Sequence, residues 1–277
     1  MTKHKPRERL EKTLARVARE QGLDQERLRR WVSFLALCGA LDQAIQTGTL
    51  ASYYLKGGVA MELRFAENAR ATKDLDVGME GARADRLRSL TAALTAEFDE
   101  FTFRIKGQTR DMEQADTIRV EVAIQYRTRS WQTIDVDLGP ATPGPVDLIE
   151  PQVHGLVELG IPVVSPIRCL NLAEQVAQKL HACTGPAAAG RARDVLDILL
   201  IDALGQLNYV AAAEAARRVF AERATHVFPP AFVMPPEWRP ELEAMAQELG
   251  FTLTTAPRIE QRFLEVIGTL LARAPVL

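Results

Sequence analysis

In the middle of the chain, polar and apolar residues alternate over several short segments, as they do in β-strands with one solvated face. The alternation covers Asp74–Met79, Phe101–Lys106, Thr117–Tyr126 and Trp131–Leu138. A short polar stretch separates the last two segments, so we expect them to form an antiparallel hairpin. A chain with this pattern must build a sheet whose two faces have different surroundings.

Helical periodicity, with apolar residues three and four apart, occurs on both sides of these strands. It covers Pro6 to Gly48, with a break near Gly22, and Ala82 to Phe98. Six prolines then interrupt the chain in residues 139–166. Five helices are predicted after the prolines: Leu170–Thr184, Ala192–Leu204, Tyr209–Ala224, Glu237–Leu249 and Arg258–Arg273.

These patterns predict an α/β (α+β) fold with a mixed sheet and a separate helical domain. We place N-terminal helices packed on the core in residues 1–50, the sheet domain in residues 51–150 and a helical C-terminal domain in residues 151–277. With 47% apolar residues in 277, the chain can bury a substantial core.

Composition excludes some classes of protein. No apolar run approaches the roughly 20 residues that cross a bilayer, and the charged N-terminal segment does not resemble a signal peptide. Cys38, Cys169 and Cys183 are few, odd in number and not spaced as metal ligands, so we expect buried, reduced thiols. The sequence therefore predicts a cytoplasmic protein that does not enter a membrane.

Asp74 and Asp76 are the first candidates for chemistry. Two residues apart on a strand, they project from the same face, where their carboxylates repel each other and favour a bound cation. Mg²⁺ prefers such oxygen ligands. On its own, a pair of this kind is more often a solvated surface feature than a metal site.

Two further features strengthen the metal interpretation. Gly57 and Gly58 lie between a short strand and a helix, where the absence of β-carbons allows a phosphate to approach backbone N–H groups, although such a turn can also be purely structural. Asp135 and Asp137 alternate with apolar residues on the second hairpin strand. If that strand lies beside the strand with Asp74, three or four carboxylates converge.

The segments Leu55–Leu63 (LKGGVAMEL) and Arg70–Asp76 (RATKDLD) resemble the first motif of the AbiEii-type nucleotidyltransferase toxins, within the DNA polymerase beta-like nucleotidyltransferase superfamily. Gln178–Ala182 (QKLHA) resembles the family's lysine motif, and Arg193–Ile198 (RDVLDI) resembles its following basic-acidic helix motif. Gly58 departs from the pattern, since many superfamily members have serine there.

The resemblance implies a mixed-sheet nucleotidyltransferase core and a role for each matched residue. Asp74 and Asp76 would bind Mg²⁺, as two ions, with Asp135 as the third ligand and Asp137 as the competing assignment. Lys179 would contact the triphosphate, and Asp194 would orient that lysine or an incoming group. The residues expected to bind the nucleotide are Lys56, Gly57, Gly58, Arg70, Thr72 and Lys179. Arg70 is equally suited to pairing with a carboxylate.

The activity implied is transfer of a nucleoside monophosphate from a nucleoside triphosphate (NTP) to a hydroxyl, with release of pyrophosphate. The family implies the 3′ end of tRNA as acceptor and a cognate antitoxin protein as partner. The basic N-terminal segment, together with Arg127 and Arg129 near the hairpin turn, modestly favours RNA. The alternatives are a small-molecule acceptor such as an aminoglycoside, a protein hydroxyl, or a binding module without catalytic activity.

Overall fold

A computed structural model describes residues 6–112, 116–152, 159–162 and 166–273. The strands in these ranges are β1 (Tyr54–Lys56), β2 (Asp74–Met79), β3 (Phe101–Met112), β4 (Thr117–Tyr126), β5 (Arg129–Pro140), β6 (Val146–Ile149) and β7 (Ile167–Leu170). The helices are α1 (Pro6–Gln21), α2 (Gln25–Gln46), α3 (Gly57–Phe65), α4 (Arg83–Ala93), α5 (Leu172–Thr184), α6 (Ala192–Ala203), α7 (Tyr209–Arg223), α8 (Trp238–Glu248) and α9 (Ala256–Arg273).

The described strands form one mixed sheet in the order β3-β4-β5-β2-β1-β7-β6. β2 runs parallel to β5 and antiparallel to β1, and β4 and β5 form the expected antiparallel hairpin. The hairpin turns through Arg127 and Thr128, whose φ angles are 48° and 67°. Positive φ at both positions is typical of a tight two-residue turn. The predicted mixed-sheet fold is confirmed.

The apolar residues of the alternating strands form one buried face of the sheet. Leu75 and Val77 of β2 and Val136 and Leu138 of β5 are almost completely inaccessible to solvent. They belong to the same core cluster as Trp31 of α2, and α2 contacts both β5 and α4. Because alternate residues of a strand point to opposite faces, the acids between these core residues lie on the other face.

Helix α4 is shorter than predicted. It ends at Ala93, and Phe98, which we expected to continue the helix, exchanges two backbone hydrogen bonds with Phe101. The Phe98 ring lies so close to Gly39 of α2 that a β-carbon there would be 2.3 Å from it. The apolar periodicity that suggested a longer helix therefore reflects tertiary packing of Phe98 against α2.

Strands β6 and β7 were not predicted, because β6 lies within the proline-rich stretch that we interpreted as a domain boundary and β7 follows it directly. β7 extends the sheet by pairing with β1 in parallel, Cys169 opposite Leu55. The chain divides into two compact units. A sheet unit runs to Glu67 and from Ala71 to Cys169, and a helical unit contains Asn68–Arg70 and the chain from Leu170 onward. The sheet unit thus continues past the expected boundary at residue 150.

The helical unit is built by apolar faces of its own helices. α5 packs on α6 and α7, and α9 packs on α6, α7 and α8. Along α9, buried residues recur at helical spacing in Ile259, Phe263, Val266 and Leu270. Asn171 and Asn208 cap α5 and α7 by accepting hydrogen bonds from backbone N–H groups of the first turn.

Two expectations from composition concern the apolar character of the helices and the state of the cysteines. In the ranges that the structure describes, no helix has both the length and the apolar character of a membrane span. Cys38, Cys169 and Cys183 are buried free thiols, as predicted.

Candidate active site

Two neighbouring strands place four carboxylates side by side on the polar face of the sheet. Asp74 of β2 is the direct partner of Asp135 on β5, and Asp76 is the direct partner of Asp137. Directly paired residues point to the same face, so all four belong to one acidic face. The condition that we set for the carboxylates to converge is therefore met.

Arg119 of β4 lies among these carboxylates. Its guanidinium donates to both oxygens of Asp137, from Nε at 2.7 Å and from Nη2 at 2.6 Å. Nη2 is also 3.4 Å from Oδ2 of Asp74, and Nη1 is 3.8 Å from Oδ2 of Asp135. The hydrogen bonds to Asp137 raise the pKa of Arg119 above its ordinary value. The acidic face therefore contains its own permanently charged cation.

Asp74 is held in place by the turn that precedes β2. Thr72 donates from Oγ1 to Oδ1 of Asp74 at 2.8 Å and from its backbone N–H to Oε2 of Glu62 at 2.9 Å. Glu62 is fully buried and accepts hydrogen bonds from Arg27 and Trp31. Burial raises the pKa of Glu62, although Arg27 opposes the shift. Thr72 thus positions Asp74, and its contact with nucleotide stays a prediction.

The glycine turn lies where β1 passes into α3, as predicted. Gly57 has a φ of +64°, and a β-carbon at this residue would be 1.8 Å from Oδ2 of Asp76. Glycine is required there both for the backbone conformation and for the close approach of the carboxylate. Gly57 and Gly58 are the first residues of α3, and a helix N-terminus built on glycines favours an anionic group nearby.

Lys56 adds a positive charge to the same face. It is the direct partner of Asp76 in the β1–β2 pair. Its side chain extends to β5, where a β-carbon on Gly139 would be 2.4 Å from Nζ. The lack of a side chain at Gly139 therefore makes room for the lysine, and its role in nucleotide binding stays a prediction.

The helical unit contains a second group of charged residues. Lys179 of α5 is buried and donates from Nζ to Asp194 at 2.8 Å and to Asp197 at 2.7 Å, both on α6. Burial alone would lower the pKa of Lys179, but the two carboxylates raise it to about 12. This lysine is charged and hydrogen-bonded to Asp194, and the catalytic roles of both residues stay predictions.

Arg70 also belongs to the helical unit. Its guanidinium donates to both oxygens of Asp197, at 3.0 Å and 3.1 Å. Although burial opposes ionisation, Lys179 and Arg70 together lower the pKa of Asp197 below its ordinary value. The carboxylate partner that we considered for Arg70 is present, and the contact of Arg70 with nucleotide stays a prediction.

His181, in the same motif as Lys179, belongs to a separate polar cluster. Its Nε2 shares a hydrogen bond with Oγ1 of Thr225 at 2.9 Å, and that hydroxyl also bonds Nδ1 of His226 at 3.0 Å. Arg223 donates to Nδ1 of His181 at 3.4 Å. Burial, reinforced by Arg223, lowers the pKa of His181 to about 4. His181 is therefore neutral and structural.

The donor chemistry of the acidic face fits Mg²⁺. Asp74, Asp76 and Asp135 offer carboxylate oxygens from one face, and all three are partly exposed. Among the residues that the structure describes, no three metal-ligating side chains are already arranged around a common centre. Arg119 instead occupies the space between the carboxylates of Asp74, Asp135 and Asp137.

Sequence reasoning missed two residues of these charged groups. Arg119 occupies a polar position of an alternating strand. Pairing β4 with β5 would have placed it on the same face as the acids of β5. Asp197 lies in the Arg193–Ile198 motif, three residues after Asp194, a spacing that brings both onto one helix face. Neither pattern shows which residue Arg119 or Asp197 pairs with until the fold is known.

Comparison with solved structures shows which known folds the chain resembles. The MenT4 nucleotidyltransferase toxin from Mycobacterium tuberculosis is similar at a TM-score of 0.54 and 16% identity, with 95% of this chain and 99% of that chain covered. Two structures of the antibiotic-resistance factor ANT(2″)-Ia, one in complex with adenylyl-2″-tobramycin, match at TM-scores of 0.40 and 0.39, each with 16% identity. Both cover 69% of this chain, and 92% and 98% of their own. The chain therefore shares its fold with the MenT4 toxin.

A family model assigns the chain more narrowly. The model described as "Nucleotidyl transferase AbiEii toxin, Type IV TA system" matches residues 39–266. The chain belongs to this family of toxin nucleotidyltransferases, which confirms the resemblance found in the sequence. Comparison with curated proteins gave no significant match.

Proposed function

We propose that this toxin transfers a nucleoside monophosphate from an NTP to the 3′ end of tRNA, in a reaction that depends on Mg²⁺. The observation that carries the proposal is the in-register pairing of Asp74 and Asp76 with Asp135 and Asp137. Paired carboxylates on one face are a suitable platform for the metal ions of phosphoryl chemistry. Gly57 at the start of α3 adds a place for phosphate beside Asp76.

In this reaction the acceptor oxygen forms a bond to the α-phosphorus of the NTP. The bond from that phosphorus to the oxygen bridging the α- and β-phosphates breaks, and pyrophosphate leaves with the electron pair. The acceptor proton passes to solvent. Asp74, Asp76 and Asp135 would hold two Mg²⁺ ions, which supply positive charge at the reacting phosphates and lower the pKa of the attacking hydroxyl.

The other proposed residues bind the phosphates of the NTP or orient the residues that do so. Thr72 keeps the Asp74 carboxylate in one orientation through its hydroxyl. The backbone N–H groups of Gly57 and Gly58 are assigned to the phosphates, with Lys56 supplying charge. Lys179 is assigned to the triphosphate, with its ammonium group held by Asp194.

The proposed acceptor and partner are supported by membership of the toxin family rather than by the site. Extension of a tRNA 3′ end would block aminoacylation and arrest growth, which is an activity that a cell must control with an antitoxin protein. The substrate also places the proposed reaction in the cytoplasm. Fold alone does not determine an acceptor, so a direct test is required.

The test is to incubate the purified protein with total RNA, Mg²⁺ and each radiolabelled NTP in turn. Label in the tRNA band supports the proposal, whereas label only on protein, only on an added aminoglycoside, or nowhere contradicts it. Asp74→Ala should abolish incorporation. Glu80→Ala is the matched control, because Glu80 follows β2 directly but is exposed, and this variant should retain full incorporation.

A further inference from the structure

Arg119 contacts three carboxylates of the acidic face unequally. It makes two short hydrogen bonds to Asp137, but its nearest approaches to Asp74 and Asp135 are 3.4 Å and 3.8 Å. The Asp137 side chain is 10% exposed, against 32% for Asp74 and 40% for Asp135. Asp137 is thus the buried anchor of the arginine, whereas the other two acids face solvent beside it.

This asymmetry separates two roles within the acidic face. A bidentate arginine–carboxylate pair is geometrically specific, and it uses both oxygens of Asp137. Mg²⁺ would have to compete with the arginine for those oxygens. Arg119 makes one long hydrogen bond to Asp74, at 3.4 Å, and lies 3.8 Å from Asp135, so these two carboxylates are less committed to the arginine and more open to a metal ion.

We infer that Arg119 is a tethered counter-cation that sets the metal affinity of the acidic face, and that Asp137 is a positioning residue that anchors it rather than a metal ligand. The inference rests on the proposed function, because it concerns the metal site of that reaction. It also decides between Asp135 and Asp137 as the third ligand. Arg119 limits repulsion among the acids in the metal-free protein and weakens the attraction of the face for a divalent ion.

The first test measures Mn²⁺ binding by the full-length protein without nucleotide. The electron paramagnetic resonance signal of the free ion reports how much Mn²⁺ stays unbound. Arg119→Gln removes one positive charge beside the acids and should tighten Mn²⁺ binding about tenfold. Arg119→Lys keeps the charge and should bind Mn²⁺ nearly as the wild type does. Equal or weaker binding by Arg119→Gln would overturn the inference.

The second test separates an anchor from a ligand. Asp137→Asn releases the guanidinium toward Asp74 and Asp135, so Mn²⁺ binding should weaken. The double variant Arg119→Gln/Asp137→Asn has the same net charge as the wild type and no arginine to release. If Asp137 only anchors, the double variant should bind Mn²⁺ at least as tightly as the wild type. If Asp137 is a ligand, the double variant should bind Mn²⁺ more weakly than the wild type, because the lost ligand is not replaced.

Arg104→Gln controls for a general loss of positive charge. Arg104 is an exposed residue of β3, and β4 and β5 separate this strand from β2. The variant should leave Mn²⁺ affinity unchanged, since the two strand spacings to β5 and the three to β2 both exceed the screening length at physiological salt. Absence of Mn²⁺ binding in both the wild type and Arg119→Gln would contradict the proposed function as well. Binding by the wild type without tightening in Arg119→Gln would contradict only this inference.

Discussion

Gly57 and Asp76 lie in such close contact that residue 57 has no room for any side chain: a β-carbon there would stand 1.8 Å from a carboxylate oxygen. The strand that carries the acid and the turn that begins α3 are therefore fitted to each other. Any residue larger than glycine must displace either the turn or Asp76.

Gly57→Ala should therefore reduce both stability and nucleotide incorporation. The matched control is Gly48→Ala, because Gly48 also has a positive φ, +74°, but open space where its β-carbon would be. The control should cost about 1 to 2 kcal/mol of unfolding free energy from backbone strain alone. Gly57→Ala should cost about 1 to 3 kcal/mol more, from overpacking. Equal urea denaturation curves for the two variants would show that the close contact does not constrain the turn.

Asp135→Asn should abolish nucleotide incorporation, because an amide is a poor substitute for a carboxylate ligand of Mg²⁺. Glu121 of β4 is the direct partner of Asp135 in the β4–β5 pair and pairs with Arg110. Glu121→Gln removes an acid from the same face of the next strand and should leave incorporation unchanged. Similar losses in both variants would indicate a response to overall charge instead of a specific ligand.

Asp197→Asn should destabilise the helical unit by about 3 kcal/mol, because it breaks a buried ion pair while leaving Arg70 without its bidentate partner. Asp202, also on α6, provides the comparison. Its partner Arg262 is 41% exposed, so Asp202→Asn should cost about 1 kcal/mol. Urea denaturation at pH 7 measures both, and a larger loss at Asp202 would contradict the prediction.

Stability should fall in acid because of His181. Its folded-state pKa, about 4, lies below the ordinary value of 6.5, so the unfolded chain binds a proton first. The contribution of the neutral imidazole is thus complete above pH 6.5 and decreases as the pH falls toward 4.

The His181→Asn variant isolates this contribution. The difference in unfolding free energy between wild type and variant should shrink by about 2 kcal/mol from pH 7 to about pH 5. Paired urea titrations at several pH values provide the measurement. A difference independent of pH would mean that the imidazole titrates alike in the folded and unfolded chains.

Local patterns predicted much of the fold. Period-two alternation located β2 with its acids, and glycine spacing located the turn before α3. The pattern was less informative at Phe98, whose apolar side chain packs on another helix instead of continuing its own. It also failed for β7, a four-residue strand after several prolines, because pairing with β1 is a long-range contact that short segments do not encode.

The candidate site was only partly predictable for the same reason. The alternation on β5 placed Asp135 and Asp137 on one face but could not distinguish them. Their difference depends on Arg119, which comes from a third strand, and on the depth at which each carboxylate lies. Burial and ion pairing are properties of the assembled sheet rather than of the strand's own sequence.

The parallel pairing of β2 with β5 also affects when the acidic face forms during synthesis. The β4–β5 hairpin joins neighbouring segments and closes through a tight turn, whereas β2 meets β5 only after the chain has looped through α4, β3 and β4. Loops of this length close late, because the chain loses conformational entropy on closing the loop before the stabilising contacts form. In a nascent chain Asp74 and Asp135 are therefore far apart, and the acidic face exists only once the sheet is complete.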